Sequence, residues 1–165
     1  MRDNNGLIPI RLESSKRIAA VIPIPGDLTP ADTSSYIHPQ LAESLREHHP
    51  RVDEFNFPLA PSDDDCAGLV QALRDYDLIV LGSINAVDHP GQVEFIRSLL
   101  KTGVPAIVVA MRLPYDLLAF PEAPTYLCTY GIQEPSMKAL ADALFGRQQI
   151  TGRLPVSIPG LYPAG

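Results

Sequence analysis

Four short stretches of this chain carry side chains able to do chemistry. Ser83, in Gly82-Ser83-Ile84-Asn85, stands after an apolar run, where a nucleophile could be displayed. The G-x-S-x-G elbow that exposes such a serine is missing, which argues against a catalytic triad. Asp88-His89 could act as an acid–base pair, but it precedes Pro90, and a polar residue before a proline-initiated helix is more simply a cap. Cys128 ends another apolar run as a thiol nucleophile would, yet Leu127 and Thr129 flank it where a strained elbow needs glycine, so it reads as a half-buried packing residue. Cys66 lies in a helical apolar stripe and reads as core.

Two further groups are polar and positioned to meet a partner. Arg112, Tyr115 and Asp116 form a polar-rich loop after a wholly apolar segment, suited to contact with substrate or with a neighbouring domain, the bland alternative being a surface or interdomain salt bridge. Glu134 stands before Pro135 at the start of a helix, where a carboxylate is favoured by the helix dipole and where an acid/base role is the competing reading. A receiver-type acidic pocket fails because Asp27 is a single acid and Leu81-Gly82-Ser83 adds none. A dinucleotide site fails because Pro23-Ile24-Pro25-Gly26-Asp27 replaces the glycine-rich turn.

The elements that must position these groups follow from hydrophobic period. Strands are predicted over Arg17–Ile22, Val52–Phe57, Leu78–Leu81, Ala106–Ala110 and Thr125–Cys128; the first and fourth are continuous apolar runs of the kind buried on both faces. Helices are predicted from Pro39 through His48, after the Ser62 cap with Asp63, Asp64 and Asp65 in its first turn, through Val93, Ile96, Leu99 and Leu100 to a stop at Gly103, and through Met137–Phe145 to Gly146. Cys66, Leu69, Val70 and Leu73 are the expected buried stripe of the second helix. Asn4-Asn5-Gly6 is a turn signal, and Gly152–Pro159 alternates but is bracketed by prolines, so it is expected to run extended along a sheet edge. Strand–helix alternation without internal repeats gives an α/β class, a three-layer α/β/α sandwich around a mostly parallel five- or six-stranded sheet. Ligand chemistry in such sheets sits beyond the carboxyl ends of the strands. The loops concerned are 25–27, 83–89, 112–116 and 129–134.

Composition bounds the possibilities. The chain has 165 residues, enough for one domain with a core and too few for an added barrel. Its net charge of -6 and pI near 5.1 argue against nucleic acid or a membrane surface as partner. No signal or membrane-spanning segment is legible, which makes a cytoplasmic location the default expectation. Two cysteines make neither a metal spacing nor a disulfide scaffold. Neither a cofactor nor a metal is expected.

Ala141–Gly146 followed by Gly152-Arg153-Leu154-Pro155-Val156, together with Thr125–Gly131 and the opening Leu7-Ile8-Pro9-Ile10, resembles the C-terminal domain of glycoside hydrolase family 3, most closely its bacterial β-N-acetylglucosaminidase branch. The match spans nearly the whole chain and departs at Gln149-Ile150-Thr151, where family members often carry Asn-Pro before a small residue. The resemblance implies a flavodoxin-like sandwich, with residues 1–16 as a lead-in and 147–165 as an extended closing segment. It also implies that the nucleophilic aspartate, and in this branch a His-Asp acid/base pair, belong to an N-terminal barrel absent from this chain, whereas the β-glucosidase branch takes its acid/base glutamate from the C-terminal domain. The chain is then the non-catalytic half of an enzyme hydrolysing terminal β-N-acetylglucosamine linkages, partnered by that barrel. The alternative is a free-standing flavodoxin-like module that binds a small polar ligand. If a barrel partner exists, Leu7–Ile10 and Leu161-Tyr162-Pro163 should form part of an apolar surface, and the isolated chain could form a homo-oligomer.

Overall fold

The computed structural model describes residues 2–27 and 29–165; the side chain of Asp63, one of the acids expected in a helical first turn, lies outside the described residues. In chain order the elements are β1 (Arg2–Asp3), β2 (Ile18–Pro23), α1 (Leu41–Arg46), β3 (Val52–Phe57), α2 (Asp63–Leu73), β4 (Leu78–Ser83), α3 (Pro90–Leu100), β5 (Ala106–Ala110), β6 (Thr125–Cys128) and α4 (Glu134–Leu144), with 3-10 turns at Ser34–Tyr36, Ala86–Asp88 and Pro114–Leu118. One sheet of order β1-β6-β5-β4-β2-β3 holds all the strands. The pairs β2–β3, β2–β4, β4–β5 and β5–β6 are parallel, and β1 runs antiparallel to β6. Counting only the parallel strands from the amino terminus gives the order 2-1-3-4-5, that of flavodoxin-like sheets.

Every residue of β2, β4 and β5 is buried, and the alternating pleat sends their side chains into two separate cores. Ile18, Ala20, Ile22, Val80, Ile107 and Val109 meet Leu41 and Leu45 of α1 and Met137, Leu140, Ala141 and Leu144 of α4. Ala19, Val21, Ile79, Leu81 and Val108 meet Leu73 of α2 and Phe95, Ile96 and Leu99 of α3 on the opposite face. Helices thus cover both faces of the sheet, as predicted. At the amino ends of the strands, Arg17 joins Asp53 at 3.0 Å and lies 4.2 Å over the Tyr76 ring, while the Tyr76 hydroxyl donates to Asp53 at 2.8 Å. This cluster ties the edge strand β3 to the turn before β4.

The helix ends are built as their sequences require. Ser62 caps α2 in a reciprocal box with Asp65: the Asp65 N–H donates to the serine hydroxyl, and the Ser62 N–H donates to the aspartate. Gly103 and Gly146 take the positive φ values, 82° and 71°, that end α3 and α4. In α3 the buried residues are Gln92, Phe95, Ile96 and Leu99, with Val93 and Leu100 half-buried.

Several expectations are corrected. The first helix begins at Leu41, because Gln40 and not Pro39 is its boundary residue. Gly82 and Ser83 belong to β4, since both pair with β5. Cys66 is half-buried against the second core and not enclosed by it. The segment 152–159 adds no strand to the sheet: β1 occupies the outer side of β6, and the closing segment makes only an isolated bridge between Ile158 and Tyr162. Its Leu154 and Ile158, with Leu161, pack against the second core instead.

The lead-in likewise turns inward. Asp3 accepts the N–H groups of Leu7 and Ile8 at 2.9 and 3.0 Å around the predicted Asn4-Asn5-Gly6 turn. Leu7, Ile8, Ile10 and Leu12 then pack on the first core. The Ile10 N–H donates to Leu144 O at 2.7 Å, and a Cβ on Gly146 would stand 2.9 Å from Pro9. Of the residues expected to contribute an apolar surface, Ile10 is buried and Leu7, Ile8 and Leu161 are half-buried against the cores, whereas Pro9, Tyr162 and Pro163 are exposed. Tyr162 accepts a hydrogen bond from Arg2 Nε at 2.8 Å.

Two glycines test this packing in opposite directions. A Cβ at Gly91, in the first turn of α3, would drive into the backbone carbonyl of Pro61, whereas one at the exposed Gly68 of α2 would meet nothing within 4 Å. Gly91→Ala should lower the unfolding free energy in urea by about 1–3 kcal/mol, and Gly68→Ala should raise it by roughly 0.5–1 kcal/mol. A stabilising Gly91→Ala would contradict the close approach of α3 to residue 61.

Candidate functional site

A parallel sheet of this order places its crevice between β2 and β4, beyond their carboxyl ends. The loops that meet there are 24–40 after β2, 84–89 after β4 and 111–118 after β5. Gly82 is what lets them converge, because a Cβ at that position would lie 2.6 Å from Met111 Cε and 2.9 Å from Pro23 Cδ. The backbone then folds back sharply through Asn85, a non-glycine residue in the left-handed region with φ 48°.

Asp116 fixes this corner. Its carboxylate accepts the Ser83 hydroxyl at 2.7 Å and the Ala86 N–H at 2.8 Å, with the side chain fully enclosed. Burial raises its pKa from the ordinary 3.8 to about 6, partly opposed by those two hydrogen bonds. Asp116 is therefore not a group that reaches substrate or a partner domain, as its place in a polar loop had indicated. Ser83 is no free nucleophile either, since its proton is committed to Asp116. Gln92 braces the same loop from α3: its amide donates to Leu59 O and Ile84 O at 3.2 and 3.1 Å and accepts from the Ile84 N–H at 2.9 Å. A glutamine on the otherwise apolar stripe of α3 is the sequence signal for this brace.

Arg112 is half-buried and pairs with Asp32 at 2.9 Å, with Ser34 Oγ at 3.5 Å. Asp32 in turn accepts the Ser34 N–H at 3.0 Å, and Asp27 accepts the N–H and hydroxyl of Ser35 at 2.9 and 2.8 Å. The ion pair joins the loop after β5 to the loop after β2, two strands apart, and so crosses the end of β4. Tyr115 is half-buried beside it in the chain. His89 occupies the boundary position of α3 without a side-chain capping bond, so the capping role expected of the Asp88-His89 pair is carried only by the His89 carbonyl, which accepts from Gln92 and Val93. Asp88 is exposed and enters the site electrostatically, its charge adding to the upward displacement of the Asp116 pKa.

The remaining candidates lie toward the other edge of the sheet. Cys128 is half-buried, and burial pushes its thiol pKa up, which keeps it protonated and poorly nucleophilic. Glu134 is exposed in the first turn of α4 and pairs with Lys138 at 2.8 Å. A groove of about 770 Å³ opens here, between β6, α4 and the closing segment, with Cys128, Tyr130, Ala139, Ile150 and Leu154 among its lining. It is a mainly apolar hollow beside the short β1, which pairs only with Thr125 and Tyr126.

The large apolar side chains left exposed among the described residues are Ile24, Tyr36, Val87, Leu113, Leu118, Tyr130 and Tyr162. All but Tyr162 lie on connections that leave the carboxyl ends of strands. Tyr36, 86% exposed, is the extreme case. The face that gathers the candidate residues is thus rimmed by apolar groups.

No protein-family model matches the chain, and no curated protein matches it by sequence. Solved structures do. A fungal multi-domain family 3 β-N-acetylglucosaminidase is 25% identical, with a TM-score of 0.82, over 99% of this chain and 18% of its own. A family 3 β-N-acetylglucosaminidase from a Paenibacillus species is 24% identical, with a TM-score of 0.77, over 92% and 28%. The β-N-acetylglucosaminidase of Thermotoga maritima is 16% identical, with a TM-score of 0.55, over 81% and 27%. The chain therefore spans less than a third of the length of each of these enzymes.

The titration of Asp116 offers a direct check on the corner it holds. Its folded pKa lies above its unfolded value, so its contribution to stability is complete below about pH 4 and is lost as the pH rises through about 6. A displacement of this size corresponds to about 3 kcal/mol. Asp116→Asn keeps an acceptor for Ala86 and removes the titration. The stability of the variant relative to wild type, measured by urea unfolding, should improve by about 2–3 kcal/mol between pH 4 and 7; a pH-independent difference would contradict the buried carboxyl.

Proposed function

We propose that this chain, whose α/β fold is similar to a C-terminal part of family 3 β-N-acetylglucosaminidases, serves as the non-catalytic half of such an enzyme, supporting hydrolysis of terminal β-N-acetylglucosamine linkages by a barrel domain that docks on the carboxyl-end face of the sheet. The observation that carries this is the apolar rim: Ile24, Tyr36, Val87, Leu113, Leu118 and Tyr130 are left exposed on the strand-end loops, while Leu7, Ile8, Ile10 and Leu12 of the lead-in pack on the first core. Monomers seldom leave large contiguous apolar areas in water, and a face of this kind fits an interdomain contact.

The chemistry of the candidate residues agrees. Glycoside hydrolysis ordinarily needs two carboxyl groups facing the scissile bond. Asp116 is enclosed and bonded to Ser83, Asp32 is held by Arg112, Asp27 is bonded to Ser35, and Glu134 is paired with Lys138. Each has a positioning task within the chain. Arg112 and Tyr115 remain the polar groups available at the rim of the interface, the first as a clamp on the loop that bears Tyr36. The free-standing ligand-binding module is not favoured, because the Arg112–Asp32 pair crosses the crevice such a ligand would use.

The test is an assay with an N-acetylglucosaminide. The isolated chain should stay at background, and co-expression with the barrel encoded beside it should give activity that Leu113→Asp and Tyr36→Asp together reduce at least tenfold. Turnover by the repurified chain alone, abolished in Glu134→Gln, would overturn the proposal, as would a natural gene with no barrel-encoding sequence adjoining it.

A further inference from the structure

At the β3 edge of the sheet, three potential metal ligands from three different elements converge. His38 lies on the loop before α1, Glu43 in the first turn of α1 and Glu54 on β3. One donor atom from each falls within 4.8 Å of the other two, and His38 Nε2 stands 3.0 Å from Glu54 Oε1. We propose that these residues form a binding site for a divalent transition metal, zinc by chemistry, which staples the loop after β2 to the sheet edge.

Donor type and charge select the ion. An imidazole nitrogen with two carboxylates is a zinc ligand set, and three protein ligands leave a fourth position for water. Bonds of about 2.0–2.2 Å in a tetrahedron put ligand atoms about 3.3–3.6 Å apart. The His38–Glu54 pair, in direct contact at 3.0 Å, has to open by a few tenths of an ångström to admit the ion, and Glu43 closes the remainder by side-chain rotation, since it is exposed. Two carboxylates balance the charge of one divalent cation. Magnesium and calcium are disfavoured because both require oxygen ligands in larger number.

The ligands are also carried on fixed supports. Leu41 and Ala42 bury the inner side of α1 and so set the direction of Glu43. Glu54 pairs in register with the enclosed Ala20, and its side chain is 19% exposed. Asn56 Nδ2 donates to Glu54 Oε1 at 2.8 Å, an orienting bond from outside the ligand set of the kind that commonly steers a metal-bound carboxylate. Pro39 restricts His38 to extended backbone. On binding, zinc takes the Nε2 lone pair, and any proton on that atom passes to the buffer.

Zinc chloride titrated into the whole chain at neutral pH should give a saturable calorimetric isotherm of one ion per chain, and magnesium chloride should give none. His38→Ala and Glu54→Gln should each weaken zinc binding at least tenfold. His48→Ala, whose ring pairs with Asp142 elsewhere, should leave it unchanged. Circular dichroism without metal verifies folding, and if His38→Ala fails to fold, Glu43→Gln on the exposed side of α1 carries the same test. Absence of saturable binding, or an isotherm indifferent to all three ligand changes in folded variants, would overturn the site.

Discussion

Burial of β2, β4 and β5 on both faces is the constraint from which the rest of the structure follows. A parallel sheet with no polar face survives only between two helical layers, and parallel neighbours can be joined only by crossovers that return the chain to the same end. Each connection that leaves a strand's carboxyl end is therefore delivered to one side of the molecule. Five such connections are held in place by their own buried side chains, Ile84, Met111, Leu117 and Phe120 among them, and by polar links: Asp116 to Ser83 and Ala86, Gln92 to Ile84 and Leu59, Arg112 to Asp32, and Asp27 to Ser35.

This division of labour explains why the side chains that look reactive in the sequence are engaged in the fold. A buried carboxylate that accepts a hydroxyl and a backbone N–H is costly to leave unpartnered and valuable as an anchor. The same loops carry tyrosines, leucines, an isoleucine and a valine that the chain does not cover. A rigid set of loops with an apolar rim is what a domain needs to seat against another domain without rearranging. The match to family 3 β-N-acetylglucosaminidases covers nearly all of this chain and a small part of theirs, as the proposed docking role requires.

The elements that were legible in the sequence are those whose signal is local. The continuous apolar runs of β2 and β5, the Ser62 capping box and the terminating Gly103 and Gly146 each announce themselves within a few residues. β1 did not, because a two-residue strand exists only through its partner in β6, more than a hundred residues away. The alternation of 152–159 misled for the same reason: period 2 states that a segment can be extended, not that an edge is vacant to receive it. Asp116 has the look of a contact group because Arg112 and Tyr115 precede it in a polar loop, while the link to Ser83, 33 residues away, that encloses it is tertiary. His38, Glu43 and Glu54 have no motif spacing, and only the register of β3 against β2 and the placement of α1 bring them together.

Docking on the carboxyl-end face is measured by hydrogen–deuterium exchange on this chain alone and joined to the proposed barrel domain. Slowed exchange is predicted in the strand-end loops that carry Ile24, Tyr36, Val87, Leu113 and Tyr130, with 7–12 and 154–163 unchanged because Leu7, Ile8, Ile10, Leu12, Leu154, Ile158 and Leu161 already pack on their own domain. Protection confined to 7–12 and 154–163, with the strand-end loops as open as in the isolated chain, would contradict the account.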